Sequence, residues 1–278
     1  MRIALVVHPD RAGAADVAST VAAGAADRDM EVVASEDDAE RIPGVLARRP
    51  GEPIDADVIV AIGGDGTMLE AVRVGIGEAI PVLGVNAGHV GFLTEIEPVR
   101  VDAALDALAD GDYTVSERMM LSADVEGGGT VHGLNDAVVE KVVSQHVVKV
   151  GLHVGPERMI GYRADAVVVA TPTGSTAYTF SAGGPLVDPS LDALVVTAVA
   201  PHTLFSRPIV LRPGAVLRLV VEDDRPARLN IDGRAVSVLD PGRSVTVTRS
   251  DACARFVRVN PERHFTAAVR DKFHLHDG

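Results

Sequence analysis

The 278-residue sequence is poor in cysteine and in positive charge. Its single cysteine, Cys253, excludes an internal disulfide, a thiolate zinc site and a Cys-x-x-Cys redox pair. The surrounding DACARFV is typical of a strand, which favours a buried thiol over a nucleophile. Because 26 basic residues face 39 acidic ones, the formal net charge is −13. This balance disfavours nucleic acid and acidic membranes as partners, so any anionic ligand must be held by local groups.

Long hydrophobic runs are also missing. No apolar run approaches the roughly 18 residues of a membrane-spanning helix. The opening MRIALVVHPD is too short an apolar run for a signal peptide, and no small-residue cleavage region follows it. We therefore expect a soluble, cytoplasmic protein. With 47% hydrophobic residues and 27 glycines, the chain can bury a large core and form many tight turns.

The first part of the chain alternates strands with helices. The apolar runs at 2–8 and 57–62 are continuous rather than alternating, which is typical of parallel strands covered on both faces, and 81–85 is predicted as a further strand. Residues 36–48 are predicted to form only a weak helix or a loop. Strands separated by helices at this spacing predict an α/β domain with a parallel sheet.

From Tyr113 onward, short apolar runs separated by Gly or Pro predict an all-β domain. The final stretch, 261–273, has a helical pattern that can return to the first domain. We therefore expect an α/β domain over 1–112, completed by 261–278, and a β-rich domain over 113–260.

The most informative motif is Gly63-Gly64-Asp65-Gly66-Thr67, where a predicted buried strand runs into a helix. Open α/β sheets bind ligands at this end of their strands. The glycines let backbone N–H groups approach a phosphate, and the helix N-terminus adds positive potential. A tight turn in which Asp65 or Thr67 caps the helix is the structural alternative.

The carboxylate of Asp65 favours catalysis over that alternative. It would repel the anion that the glycines attract, but it can accept the proton of a substrate hydroxyl during phosphoryl transfer. The sequence contains neither G-x-x-x-x-G-K-[ST] nor G-x-G-x-x-G. The motif therefore predicts a kinase without a P-loop.

Two further segments carry candidate binding groups. The loop after the next strand holds Asn86, Gly88 and Gly91 and is expected to face the same crevice, although simple loop punctuation explains it equally well. Asn135 and Asp136 offer an amide for an adenine edge and a carboxylate for ribose hydroxyls. Asn-Asp is also a common turn pair, so this alternative stays open.

The segment 171–185, TPTGSTAYTFSAGGP, is the richest in hydroxyl groups. Such groups can line a polar ligand pocket, or they can cap a short helix. We favour the pocket because the segment directly follows a predicted buried strand at 166–170.

Taken in order, these motifs resemble the NAD kinases that depend on ATP or polyphosphate. GGDGT is shared with diacylglycerol and sphingosine kinases, whereas the NAGHVGFLTE and TPTGSTAY stretches are far more specific. The matching segments are GGDGTML at 63–69, GVNAGHVGFLTE at 84–95, LNDAVVEK at 134–141, YRADAVVVATPTGSTAYTFSAGGP at 162–185, PHTLFSRPIV at 201–210 and IDG at 231–233.

The resemblance implies Mg²⁺-dependent transfer of a phosphoryl group from ATP or polyphosphate to the 2′-hydroxyl of the adenosine ribose of NAD, giving NADP. It implies that Asp65 accepts the proton, that Mg²⁺ is held mainly through nucleotide phosphates, and that the protein is a homodimer or homotetramer whose pocket is completed by a neighbouring subunit. Asp136 stands where the family often has Glu. The implied nucleotide-binding residues are Gly63, Gly64, Gly66, Thr67, Asn86, Gly88, Phe92, Asn135, Asp136, His146, Arg163 and Asp165 (both near the nicotinamide), Thr173, and then Thr176, Ala177, Tyr178, Thr179, Phe180 and Ser181 around the adenine and its ribose.

Two other functions remain open. A lipid kinase could share the GGDGT turn, but the hydroxyl-rich segment and the negative charge disfavour it. A dinucleotide-binding regulator without catalysis would bind NAD without turnover, and the presence of Asp65 disfavours that reading.

Overall fold

The structure, a computed structural model, describes residues 1–11, 13–88, 91–259 and 265–275. The chain divides into two compact units, Met1–Glu117 with Ala254–Gly278, and Arg118–Cys253. Within the described ranges, no helix is both long and apolar enough to cross a membrane.

The first unit is built on a parallel sheet. Its strand Val58–Gly63 is buried along all 6 residues, because strands pair with it on both sides and helices cover the sheet. The partners are Arg2–Val7 and Val82–Asn86, both in parallel register. The helices Ala14–Ala26 and Val101–Asp110 place their apolar residues in the core of this unit. The predicted α/β fold is thus confirmed.

The region 36–48 is more regular than its sequence predicts. Ser35 caps the helix Glu36–Arg41 by accepting a hydrogen bond from the Asp38 N–H at 3.2 Å. The strand Leu46–Arg48 then pairs with the strand before the helix. The other elements of this unit are the strand Glu31–Ser35, the helices Asp65–Gly75 and Phe265–Phe273, and the 3-10 turns Ile76–Glu78 and Pro98–Arg100.

The second unit is β-rich, as predicted. The strand Ala166–Ala170 is fully buried between two antiparallel neighbours, Asp136–Lys141 and Leu194–Val199. The chain also forms a 3-10 turn at Thr173–Thr176 and a single helical turn at Tyr178–Ser181, so this unit is not purely β.

Alternation of buried and exposed residues along the strands builds the core of this unit. Leu217, Leu219 and Val221 are buried in one strand, whereas Arg218 between them is exposed. Cys253 lies in a strand but is only partly buried, which corrects the expectation of a core thiol. The remaining strands are Gly129–Gly133, Val148–Val154, Glu157–Ala164, Ile209–Leu211, Leu217–Val221, Ala227–Ile231 and Arg234–Leu239, with Thr114–Val125 and Ser244–Arg258 contributing residues to both units.

Candidate active site

The glycine turn of the first unit lies between the strand Val58–Gly63 and the helix Asp65–Gly75. Gly64 occupies the N-cap position, so neither Asp65 nor Thr67 caps this helix. The first N–H groups of the helix therefore lie beside the turn without a side-chain cap, where they favour negative charge.

Three glycines of the turn have different surroundings. A Cβ atom on Gly63 would overlap the Thr67 hydroxyl, so this glycine is needed for packing. A Cβ atom on Gly64 would lie 2.6 Å from Nη1 of Arg11. A Cβ atom on Gly66 would meet no atom within 4 Å, so packing does not require a glycine there. The open space beside Gly66 suits a phosphate that approaches the backbone closely.

The carboxylate of Asp65 is held by the second glycine-rich loop. Its two oxygens accept hydrogen bonds from the N–H groups of Phe92 and Leu93, each at 3.0 Å. A Cβ atom on Gly91 would overlap Asp65 Oδ1, so this loop can close over the carboxylate only with a glycine there. A carboxylate offers about four acceptor positions in all. Asp65 is thus oriented by two bonds and retains capacity to accept a substrate proton.

The start of the second loop is held by Asn86. This side chain is buried at the end of its strand, and its amide donates a hydrogen bond to the Gly88 carbonyl at 2.7 Å. A Cβ atom on Gly88 would lie 2.6 Å from Nη2 of Arg11. The guanidinium of Arg11 therefore packs against both glycine-rich loops. The sequence motifs missed Arg11, although it follows the first parallel strand and so belongs to the ligand-binding edge of the sheet.

Phe92 connects the second loop to the end of the chain. Its ring centroid lies 6.0 Å from that of Phe273, and Lys272 Nζ lies 6.0 Å from the same ring. The helix Phe265–Phe273 thus contacts the loop that holds Asp65. His89 and Val90, which belong to the motif at 84–95, lie outside the described residues.

In the second unit, the Asn135-Asp136 turn is organised by Asp232. The Asp232 carboxylate accepts hydrogen bonds from the N–H groups of Leu134, Asn135 and Asp136 at 2.8, 2.7 and 3.1 Å. Asp232 adopts a left-handed backbone with φ +48, a conformation that Asp tolerates better than most residues. The Ile-Asp-Gly motif includes Asp232 but does not indicate this role, because the contact spans 96 to 98 residues of sequence.

Asp136 is the buried carboxyl group of the site. Its residue is 4% exposed, and no described residue donates a hydrogen bond to its carboxyl group. Burial, followed by the charge of Asp232, raises the pKa of Asp136 to about 7. Burial also raises the pKa of Asp232, although its three backbone hydrogen bonds oppose that rise. The Asn135 side chain is partly exposed and makes no hydrogen bond with a described residue.

The hydroxyl-rich segment packs directly on this turn. Thr171 donates its N–H to the Asn135 carbonyl at 2.9 Å and its hydroxyl to the Leu134 carbonyl at 2.5 Å. The same hydroxyl accepts the Gly174 N–H at 3.1 Å. A Cβ atom on Gly174 would overlap the Asn135 backbone, so the two turns touch backbone to backbone. The structure thus brings these two predicted motifs together.

The Tyr178 hydroxyl lies close enough to several carboxylates for their charges to affect its pKa. Burial first, and then the charges of Glu140, Asp165 and Asp136, raise the pKa of Tyr178. The Asp165 carboxylate is paired with Lys141 at 2.5 Å, a partner that the sequence did not identify.

The other predicted residues of the second unit differ in exposure. Thr173 is buried and its carbonyl accepts the Thr176 hydroxyl at 3.1 Å. Thr179 is fully buried, and a Cβ atom on Gly184 would overlap its methyl group. Within the described chain, no hydrogen bond or ion pair joins His146 to the other predicted residues. Those with exposed side chains are His146, Arg163, Tyr178, Phe180 and Ser181, and Ala177 is partly exposed.

The α/β unit with Asp65 in a glycine turn, joined to a β-rich unit, is the arrangement of a GGDGT-type kinase. The model of the ATP-NAD kinase N-terminal domain matches residues 3–113, and that of the ATP-NAD kinase C-terminal domain matches 134–259. The chain belongs to the NAD kinase family, which confirms the resemblance found in its motifs.

Known proteins agree with this assignment. The NAD kinase of Heliobacterium modesticaldum is 41% identical to this chain, over 78% of this chain and 78% of its own length. NAD kinase 1 of Streptomyces coelicolor is 36% identical, over 99% of this chain and 86% of its own length. The crystal structure of an Archaeoglobus fulgidus NAD kinase in complex with ATP is 25% identical with a TM-score of 0.77, covering 99% of this chain and 98% of its own. Yeast NADH kinase complexed with NADH shares the fold, with a TM-score of 0.91 at 22% identity over 100% of this chain and 89% of its own.

Proposed function

We propose that this protein phosphorylates the 2′-hydroxyl of the adenosine ribose of NAD, with ATP or polyphosphate as donor, and produces NADP. The observation that carries the proposal is the Asp65 carboxylate, which two backbone N–H groups orient beside the open glycine turn. The names of the relatives support NAD as the acceptor. The hydroxyl-rich turn packed on Asn135 supports a nucleoside ligand rather than a lipid.

In the proposed reaction, the ribose 2′-oxygen attacks the terminal phosphorus of the donor. A new oxygen–phosphorus bond forms, and the bond from that phosphorus to the bridging oxygen breaks. The shortened donor leaves with the electron pair, and Asp65 accepts the hydroxyl proton. Backbone N–H groups of the glycine turn stabilise the charge on the transferred group.

For the acceptor, we propose that the Asn135 amide binds the adenine edge and that the Asp136 carboxylate accepts ribose hydroxyls. The residues from Thr176 to Ser181 would surround the adenine and its ribose. Arg163 and Asp165 would lie toward the nicotinamide, and His146 contributes a further contact. These roles rest on the family resemblance and on the free hydrogen-bonding capacity of the side chains of Asn135 and Asp136.

The described residues include no cluster of three or more His, Cys, Asp and Glu side chains that could hold a metal ion. Magnesium commonly binds through substrate phosphates with only one or two protein carboxylates. We therefore propose that Mg²⁺ is held mainly by the donor phosphates and supplies charge neutralisation there. The cytoplasmic location and the homodimer or homotetramer remain predictions.

The direct test incubates the purified protein with NAD, Mg²⁺ and either ATP or polyphosphate and measures NADP. Product with at least one donor is expected, and its absence with both would reject the proposal. Phosphorylation of diacylglycerol in vesicles, without NADP formation, would instead support the lipid kinase alternative.

Replacing Gly66 with alanine is expected to improve stability while impairing donor binding. Alanine is better than glycine within a helix, so the free energy of unfolding should rise by up to about 1 kcal/mol. The added methyl group would fill the open space beside the turn, so the KM for ATP should rise at least about tenfold, as expected for the loss of roughly 1.4 kcal/mol of binding. Thermal unfolding and donor kinetics measure the two effects.

The matched control is Gly77→Ala. A Cβ atom on Gly77 also meets nothing within 4 Å, and Gly77 lies in the 3-10 turn Ile76–Glu78, away from the glycine turn. This variant should keep the parent KM for both substrates. An unchanged ATP KM in Gly66→Ala would show that no donor phosphate approaches this backbone.

A further inference from the structure

Arg11 occupies a distinctive position in the first unit. It follows the strand Arg2–Val7, and its guanidinium lies against both glycine-rich loops. Its Nη1 faces Gly64 and its Nη2 faces Gly88, at 2.6 Å from the position of a Cβ atom on each. Any side chain at either glycine would have to displace the guanidinium. Both loops thus leave room for this cation at the turn that carries Asp65.

The guanidinium of Arg11 lacks an acidic partner in the described part of the chain. No carboxylate there lies within the 4.0 Å of an ion pair, although acidic residues outnumber basic ones by 39 to 26. Two other partly buried arginines of this unit have acidic partners, Arg28 with Asp106 and Arg258 with Glu95, both at 2.8 Å. A third, Arg48, donates to the Glu52 carbonyl at 2.7 Å. A partly buried cation beside an uncapped helix start is well placed to pair with an anion that is not part of the protein.

We propose that Arg11 binds the phosphate chain of the phosphoryl donor. A guanidinium presents donors in a planar fork that matches two phosphate oxygens, and it stays charged throughout the reaction, so it exchanges no proton. Binding there would neutralise charge on the donor next to the turn where Asp65 accepts the proton. The donor assignment rests on the proposed function, whereas polyphosphate binding by Arg11 can be tested without it.

The first experiment measures binding of inorganic tripolyphosphate by calorimetry, without NAD. The parent protein should bind it, and Arg11→Gln should weaken binding at least about 10-fold, as is typical when one partner of a charge-assisted pair is removed. Arg49→Gln is the matched control, because it removes the same charge from an exposed position in the same unit. That control should bind tripolyphosphate like the parent.

The second experiment separates the substrates. In Arg11→Gln, the KM for ATP should rise and kcat/KM should fall by about 10²-fold, since removing one charge-stabilising donor typically costs 10²- to 10³-fold. The dissociation constant for NAD and the melting temperature should stay unchanged. Arg11→Lys should recover only part of the loss, because an ammonium lacks the bidentate fork.

The third experiment uses Gly88→Ala, whose methyl group would push the guanidinium away. Its effect on the ATP KM should resemble that of Arg11→Gln, and the double variant should be little worse than either single variant.

Three outcomes would overturn the inference: tripolyphosphate binding that Arg11→Gln leaves intact, equal losses for ATP and NAD, or additive effects of the two substitutions. If tripolyphosphate binding depends on Arg11 but no NADP forms, the anion site stands and the proposed function fails. If NADP forms while tripolyphosphate does not bind, the function stands and the role of Arg11 is wrong.

Discussion

Replacing Asp65 with asparagine is expected to lower the rate of NADP formation by about 10³- to 10⁴-fold, the upper range for loss of a catalytic acid–base group. Asparagine keeps the size of the side chain but cannot accept the proton of the ribose hydroxyl. Single-turnover kinetics with saturating NAD and ATP would measure the chemical step directly.

The same substitution also changes how the second loop is held. The carboxylate accepts the N–H groups of both Phe92 and Leu93, whereas an amide can accept only one and directs its own N–H toward the other. The loss of one such bond costs about 1–3 kcal/mol. We therefore expect a lower melting temperature in Asp65→Asn but a folded protein that still binds NAD.

Gly91→Ala separates the chemistry of Asp65 from its position. The carboxylate stays in the sequence, but the new methyl group would overlap Oδ1 and move it. Misplacement of a reacting group by about 1 Å can cost about 10²-fold in rate, so a loss of that order is expected with the acid–base group chemically intact.

For Asp65→Asn, the control for loss of a carboxylate is Asp110→Asn, at an exposed helix end. Near-normal turnover in Asp65→Asn would remove Asp65 from the role of base.

The elements that the sequence predicts well are those whose environment is uniform. Val58–Gly63 and Ala166–Ala170 are buried on both faces, so their continuous apolar runs identify them as strands without further information. The helical turn Tyr178–Ser181 is only 4 residues long, too short for a periodic pattern. The strand Leu46–Arg48 has 3 residues and owes its extended form to pairing with Glu31–Ser35.

The same distinction applies to the candidate site. Asp65 can be identified from the sequence because all the information lies within the five residues 63–67, where a carboxylate stands among glycines that suit an anion. Arg11 acts on Gly64 and Asp232 acts on Asn135, both far away in the sequence. No motif includes Arg11, and the Ile-Asp-Gly motif that includes Asp232 does not indicate what its carboxylate binds. Arg11 follows a parallel strand that ends at the same edge of the sheet as the glycine turn, whereas Asp232 follows a strand that pairs antiparallel with Asp136–Lys141. Both contacts can be identified only once the strand order is known.

Replacing Asp136 with asparagine is expected to stabilise the free protein at alkaline pH and to weaken NAD binding. The pKa of Asp136 rises from 3.8 to about 7 on folding, so between these values the folded state holds a proton that the unfolded state has lost. Stability therefore falls as pH rises through this window, by up to about 1.4 kcal/mol per pH unit, and the loss is complete above pH 7. Asparagine removes this dependence because it is neutral at every pH.

The predicted effect on stability is tested by chemical denaturation at about pH 5, 6, 7 and 8, which gives the free energy of unfolding of both proteins. Asp232 is present in both proteins, so the difference between the parent and Asp136→Asn reports the burial of Asp136 together with its charge interaction with Asp232. The gain of the variant over the parent should grow from pH 5 to pH 7 and be largest at pH 8. The matched control Asp251→Asn, exposed in a strand of the same unit, should follow the parent curve.

NAD binding should respond in the opposite sense. If ribose hydroxyls donate to the ionised Asp136, the affinity of the parent protein rises with pH up to about pH 7 and then levels off. Asp136→Asn should bind NAD about 10- to 100-fold more weakly and without this pH dependence, as expected when a charge-assisted hydrogen bond worth roughly 1.5–3 kcal/mol is lost. If the variant is more stable at pH 8 yet binds NAD like the parent, the pKa of Asp136 is raised by burial as stated, but its carboxylate does not bind the ribose. A variant less stable than the parent at pH 8 would show that burial does not raise the pKa of Asp136.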